Sequence, residues 1–200
     1  ACIGCYAQNI TTKITRELLY SERPELFLNP NILQKTLASI VAESGKIQVL
    51  SLRGGEPTRH SGLCEILKVT AGFSNQIYLE THGRWLIDEE EEEDEGFVKA
   101  VLNCCRMLGI TIKISFDPMH GLTNGQLSTI TSALTSNQIP WVIAITELDE
   151  VGFAKVRYTC PQIPDDRIIF QKKALSAKEL IQPRFGVVLQ NGYLSLSLST

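Results

Sequence analysis

No stretch of this chain approaches the roughly 20 consecutive apolar residues that a membrane-spanning helix needs. The N-terminus also lacks the basic segment followed by an apolar one that marks a secretory signal. We therefore expect no membrane partner. There is no internal repeat, no clear linker, and no low-complexity segment beyond one acidic run. The six cysteines (Cys2, Cys5, Cys64, Cys104, Cys105 and Cys160) do not follow the spacing of a secreted disulfide framework, and 200 residues is long for one. An intracellular, reducing, cytoplasmic setting is the expectation. A second CxxC is missing, so two such pairs cannot complete a four-cysteine zinc site.

What is present is ordinary globular material. Hydrophobic residues fill 44% of the 200 positions. That suffices for one well-buried domain, since chains of this size hide roughly 70% of their unfolded surface. A single domain over residues 1–200 is expected. Net charge is −3, unevenly placed: the run Asp88–Glu95 holds 8 of the 22 acidic residues, and outside it 19 basic residues face 14 acidic ones. That balance is too mild to argue for a nucleic-acid partner. The run reads as a solvated segment leading into a helix, whose N-terminal dipole favours negative charge.

Along the chain, short β-like runs alternate with helical ones. Helices are expected over Thr11 to Tyr20, Pro30 to Ser44, Ser61 to Ala71, Gly96 to Leu108, Asn124 to Ser136, Val151 to Tyr158 and Ser176 to Ile181. Asn29-Pro30 is a helix start, with Asn29 as cap, and Gly109 is a helix stop. Strands are expected over Lys46 to Leu52, Gln76 to Glu80, Ile110 to Phe116, Pro140 to Thr146 and Asp166 to Gln171. Asn191-Gly192 lies between two apolar runs in Phe185 to Ser199, a hairpin signal. Strands alternating with helices predict a parallel α/β sheet with right-handed crossovers. Three successive strands end in polar or glycine clusters: Arg53-Gly54-Gly55-Glu56-Pro57, Glu80-Thr81-His82-Gly83 and Ser115-Phe116-Asp117-Pro118-Met119-His120. Ligands of parallel α/β folds bind at the carboxyl ends of the strands, so all three clusters belong to one rim.

Cys2-Ile3-Gly4-Cys5 taken alone suits an iron–sulfur cluster, a zinc half-site or a redox pair. Gly54 and Gly55 let the backbone approach a ligand closely, but serve equally as a plain turn. Glu56 is either a ligand carboxylate or a helix cap. Thr81 and Ser115 are ligand hydroxyls or ordinary strand-end residues. Asp117 and the turn histidines His82 and His120 have the same two readings. Lys113, Ser115 and Asp117 alternate and so share one strand face. Cys104 and Cys105 are adjacent on a helix, where their side chains diverge by about 100°. With Cys64 and Cys160, they are read as packing residues rather than ligands of a second cluster.

In order and spacing, these motifs resemble the radical S-adenosylmethionine (SAM) superfamily. Cys2-Ile3-Gly4-Cys5-Tyr6 resembles the last two cysteines of its CxxxCxxC motif, and Gly54-Gly55-Glu56-Pro57 its GGEP motif. Thr81-His82-Gly83 is similar to its TNG-like motif, and Lys113 to Asp117 to its S-x-D pattern. The resemblance spans Cys2 to Asp117. It implies a partial (β/α)6 TIM-like barrel, truncated at the N-terminus and followed here by the C-terminal hairpin. The chain opens at Ala1 inside the motif, so the first cluster cysteine is expected three residues upstream. By resemblance, Cys2 and Cys5 hold a [4Fe-4S] cluster. Gly54, Gly55, Glu56, Thr81 and Ser115 bind SAM, with the Glu56 carboxylate receiving its ammonium. The implied activity is that of an oxidoreductase or lyase. SAM is cleaved reductively to a 5′-deoxyadenosyl radical, which abstracts hydrogen from a small-molecule or protein substrate. The electron donor is of the flavodoxin or ferredoxin type. Deazaguanine synthases, glycyl-radical-activating enzymes and peptide-modifying enzymes are the subfamilies considered. The family's GxIxGxxE motif is absent where Trp141 to Glu147 stands, and Gly4 replaces the usual aromatic before the third cysteine, so no adenine contact is carried over. No cysteine-rich extension follows, and no auxiliary cluster is expected. A noncatalytic iron–sulfur or zinc-binding α/β module is the alternative.

Overall fold

The computed structural model describes residues 28–54, 56–87, 95–116, 121–145, 161, 163–170, 186–188 and 194–198. Helix α1 (Pro30–Ser44) starts at the expected cap. Asn29 Oδ1 accepts from the backbone N–H groups of Asn31 and Ile32 at 2.9 and 3.3 Å, and Pro30 stands where no N–H is needed. Strand β1 (Ile47–Gly54), helix α2 (Leu63–Ala71), strand β2 (Ser74–Thr81), helix α3 (Glu95–Leu108) and strand β3 (Thr111–Ser115) follow. Helix α4 (Asn124–Ser136) opens on a capping box in which the Thr123 and Gln126 side chains each accept from the other's backbone N–H. Strands β4 (Trp141–Ile145), β5 (Ile168–Phe170), β6 (Gly186–Val188) and β7 (Leu194–Leu198) complete the described elements.

The sheet order is β5-β4-β3-β2-β1-β7-β6. Strands β1 to β5 are parallel and lie side by side in chain order, while β7 is antiparallel to β1 and β6 to β7. Right-handed crossovers that all step in the same direction put the connecting helices α2, α3 and α4 on one face of the sheet. The core agrees. Leu50, Leu52, Ile77, Leu79, Ile112, Ile114 and Ile143 form one continuous cluster with residues of the four described helices, among them Leu37, Leu67, Val101 and Leu134. The alternate strand positions point away from the helices. There β1 to β3 carry Ser51, Tyr78, Glu80, Lys113 and Ser115, beside the apolar Val49, Val142, Ala144 and Ile169.

Several boundaries differ from the expected ones by one or two residues, among them those of β2, which runs Ser74–Thr81, and three have an identifiable physical reason. Strand β1 runs past Leu52 because β7 pairs with it there, Arg53 opposite Ser195 and Gly54 opposite Leu194. Helix α2 begins at Leu63 rather than Ser61 because His60 organises the turn before it. The N–H of Gly62 donates to His60 Nδ1, and that of Leu63 to the His60 carbonyl, both at 3.0 Å. The opposite ring nitrogen, Nε2, donates to the Leu28 carbonyl at 3.0 Å, so His60 is buried with a fixed tautomer. Burial holds its pKa below the ordinary value. Strand β5 is shortened by a 3-10 turn over Asp165–Arg167. The helices expected over 11–20, 151–158 and 176–181, and the Asn191-Gly192 turn, lie outside the described residues.

Cys104 and Cys105 are buried core residues of α3. Burial pushes the Cys105 thiol up to about 12, with Cys104 and Cys64 adding to the effect, and raises Cys64 in the same way. Thiols held protonated are poor nucleophiles and metal ligands, so Cys64 and Cys105 pack rather than react. Among the described residues no helix is long and apolar enough to cross a membrane.

Candidate functional site

The polar clusters at the ends of β1 and β2 meet through one side chain. Glu56 follows the last residues of β1 in an extended conformation and caps the 3-10 turn Pro57–Arg59. Its Oε1 accepts from the Thr58 N–H at 3.3 Å, the Thr58 hydroxyl at 2.9 Å and the Thr81 hydroxyl at 2.6 Å. Its Oε2 accepts from the His82 backbone N–H at 3.1 Å and lies 3.0 Å from His82 Nε2. Each of these five neighbours donates. Of the two readings that sequence left open for Glu56, the structure shows the cap, and the same carboxylate also joins the end of β1 to the end of β2.

Thr81 is the last residue of β2 and sits in register with Ile114, so it faces the helices. Its hydroxyl donates to Glu56 and accepts from the Gly83 N–H and from Trp85 Nε1, both at 3.0 Å. One donor and two lone pairs are all the hydroxyl has, so it is fully used. Gly83 follows at φ +78°, a left-handed conformation that side chains resist. A Cβ there would also lie 3.2 Å from Ile130 Cδ1 on α4. The glycine of the Thr-His-Gly segment therefore permits both the turn and the approach of α4. Between them, His82 accepts the Arg84 N–H on Nδ1 at 3.0 Å, which leaves Nε2 as the protonated nitrogen facing Glu56.

A second polar group occupies the opposite face. Glu80 and Lys113 are register partners on β2 and β3, and Lys113 Nζ lies 3.0 Å from Glu80 Oε1. Their side chains are only 13% and 10% exposed, and Nζ is 6.0 Å from the centre of the Tyr78 ring. Ser115 lies one pleat further along the same face, beside Ala144 of β4. Its hydroxyl makes no hydrogen bond among the described residues. The structure thus joins Glu56 to Thr81, and places Ser115 on the other side of the sheet from Thr81. Gly54 ends β1, while Gly55, Asp117, His120, Cys2, Cys5 and Cys160 lie outside the described residues.

Sequence reasoning did not find Thr58 or Trp85. A polar residue just after Glu-Pro signals a capped turn, and an indole two residues after Gly83 needs a partner for its N–H when buried. Both signals were available in principle. Among the described residues no group of three histidine, cysteine or acidic side chains is arranged to hold a metal ion. The chain matches no family model, and no curated protein is significantly similar to it.

Proposed function

We propose that this chain is the core of a radical SAM enzyme, with SAM bound at the carboxyl ends of β1 to β3 and a [4Fe-4S] cluster held by Cys2 and Cys5. The observation that carries the reading is the Glu56 carboxylate. It stands at the strand ends, belongs to the Gly-Gly-Glu-Pro segment, and is surrounded only by donors. Such an oxygen pair suits the ammonium of an amino acid, and His82 Nε2–H already occupies Oε2 in the manner of an ammonium N–H. The five parallel strands in chain order, with helices on one face, fit a partial (β/α)6 barrel whose interior is the opposite face.

When bound, the cluster supplies the electron that cleaves SAM and so the radical chemistry of hydrogen abstraction. The chain's own residues do the rest. Glu56 receives the ammonium, and Gly54 and Gly55 allow close backbone approach. Thr81 acts through Glu56: it fixes the carboxylate from the helix side and is a positioning residue. Ser115 offers its hydroxyl on the barrel face, next to the Glu80–Lys113 pair that lines the way to a substrate. The partners of the reading are a small-molecule or protein substrate and a flavodoxin- or ferredoxin-type electron donor.

Equilibrium binding of SAM tests the reading. The protein binds SAM, and Glu56→Gln weakens binding about tenfold or more, the loss expected for one charge-assisted hydrogen bond. A protein that takes up zinc and does not bind SAM is instead a noncatalytic metal-binding module.

A further inference from the structure

The proposed SAM site has an occupant of its own. Oε1 of Glu56 is tied to Thr58 and Thr81, whose residues are 0% and 2% exposed. Oε2 carries two further contacts, both from His82. Oε1 already takes three donors, and the Glu56 side chain is only 7% exposed, so an incoming ammonium reaches Oε2 only by taking the place of one of its present donors. One donor must go. The His82 backbone N–H is fixed at the end of β2. Its imidazole turns on two side-chain bonds and is the more exposed partner, at 18% against 7% for Glu56.

Resting on the SAM reading, we propose that His82 is a displaceable placeholder. Its Nε2–H holds Glu56 Oε2 when no ligand is present, and the SAM ammonium takes that oxygen by turning the ring out. Turning out also breaks the bond from the Arg84 N–H to Nδ1, so opening the site loosens the turn that begins at Gly83. His82 therefore keeps Glu56 aligned in the empty site and sets the affinity for SAM by competing with it.

The experiment compares SAM binding by the full-length, cluster-reconstituted protein with that of its His82→Ala and His82→Gln variants. Removing the competing ring is expected to tighten binding about fivefold, the equivalent of one net hydrogen bond. Glutamine carries a donor amide to nearly the same place and restores the original affinity. In the unaltered protein, hydrogen–deuterium exchange at the His82 ring carbon C2, read by mass spectrometry, accelerates when SAM saturates the site. That readout holds even if a variant folds poorly. If the protein binds SAM but His82→Ala binds it equally or more weakly, or ring exchange does not change, the placeholder role is wrong and the SAM site stands. If no form binds SAM, the underlying reading fails and the placeholder fails with it.

Discussion

Replacing Glu56 with alanine removes the acceptor of five donors at once. The His82 ring, at 18% exposed, can turn toward water. The Thr58 and Thr81 hydroxyls cannot, because their residues are 0% and 2% exposed. A hydrogen bond to a charged group contributes about 1.5–3 kcal/mol, and a network loses less than the sum of its bonds. Stranding two buried hydroxyls therefore costs about 3–4 kcal/mol. In a chain of this length each kcal/mol moves the melting point by about 2–4 °C, so Glu56→Ala is expected to melt about 8–12 °C lower. Glutamine keeps one acceptor for the threonines but turns an NH2 toward the two His82 donors. It is expected to lose about half as much. Glu43→Gln, on the exposed side of α1, is the control and should stay within about 0.5 kcal/mol of the parent. Thermal unfolding followed by circular dichroism without ligand gives all four values. If Glu56→Ala melts within about 2 °C of the Glu43→Gln control, the carboxylate does not tie β1 to β2 and the site as described is wrong.

Gly83→Ala combines a left-handed backbone cost of about 1–2 kcal/mol with the 3.2 Å approach to Ile130, so urea denaturation should show a loss of about 2–3 kcal/mol. Adding Ile130→Val should recover only part of the steric loss, because it removes Cδ1 but keeps Cγ2, 3.3 Å away. His60 is buried with a lowered pKa, so the folded state favours the neutral ring. Its stabilising contribution is complete above about pH 6.5 and is lost as pH falls from there through the lowered value. The urea midpoint should drop across that window in the parent, and drop less in His60→Gln. Glu80→Gln or Lys113→Met alone should destabilise by about 1–3 kcal/mol, because each leaves its partner charged and poorly hydrated, and the double variant should recover much of the loss. A double-mutant cycle with no coupling would contradict the pairing.

Much of the fold was legible because its signals are local. Asn29-Pro30 fixed the start of α1, and the apolar spacing of Asn124–Ser136 placed α4 to the residue. Strand ends were less legible where another strand decides them. Arg53 and Gly54 belong to β1 only because β7, some 140 positions later, pairs with them. The three polar clusters could be assigned to one rim from the alternation of strands and helices alone. Side-chain partners could not. That Thr81 faces the helices and Ser115 the opposite side follows from the β2–β3 register, in which Thr81 is opposite Ile114. Glu56 has two roles at once because a cap and a cross-strand acceptor can share one carboxylate, a coincidence no spacing rule contains.

The measurement closest to the central claim is made on the full-length protein, reconstituted anaerobically with iron and sulfide. Electron paramagnetic resonance is recorded after dithionite, with and without SAM, and 5′-deoxyadenosine is assayed. We expect a [4Fe-4S] signal that SAM perturbs, together with formation of 5′-deoxyadenosine. A protein that holds zinc or no metal, and leaves SAM intact, would contradict the radical SAM assignment and return this chain to the noncatalytic α/β modules.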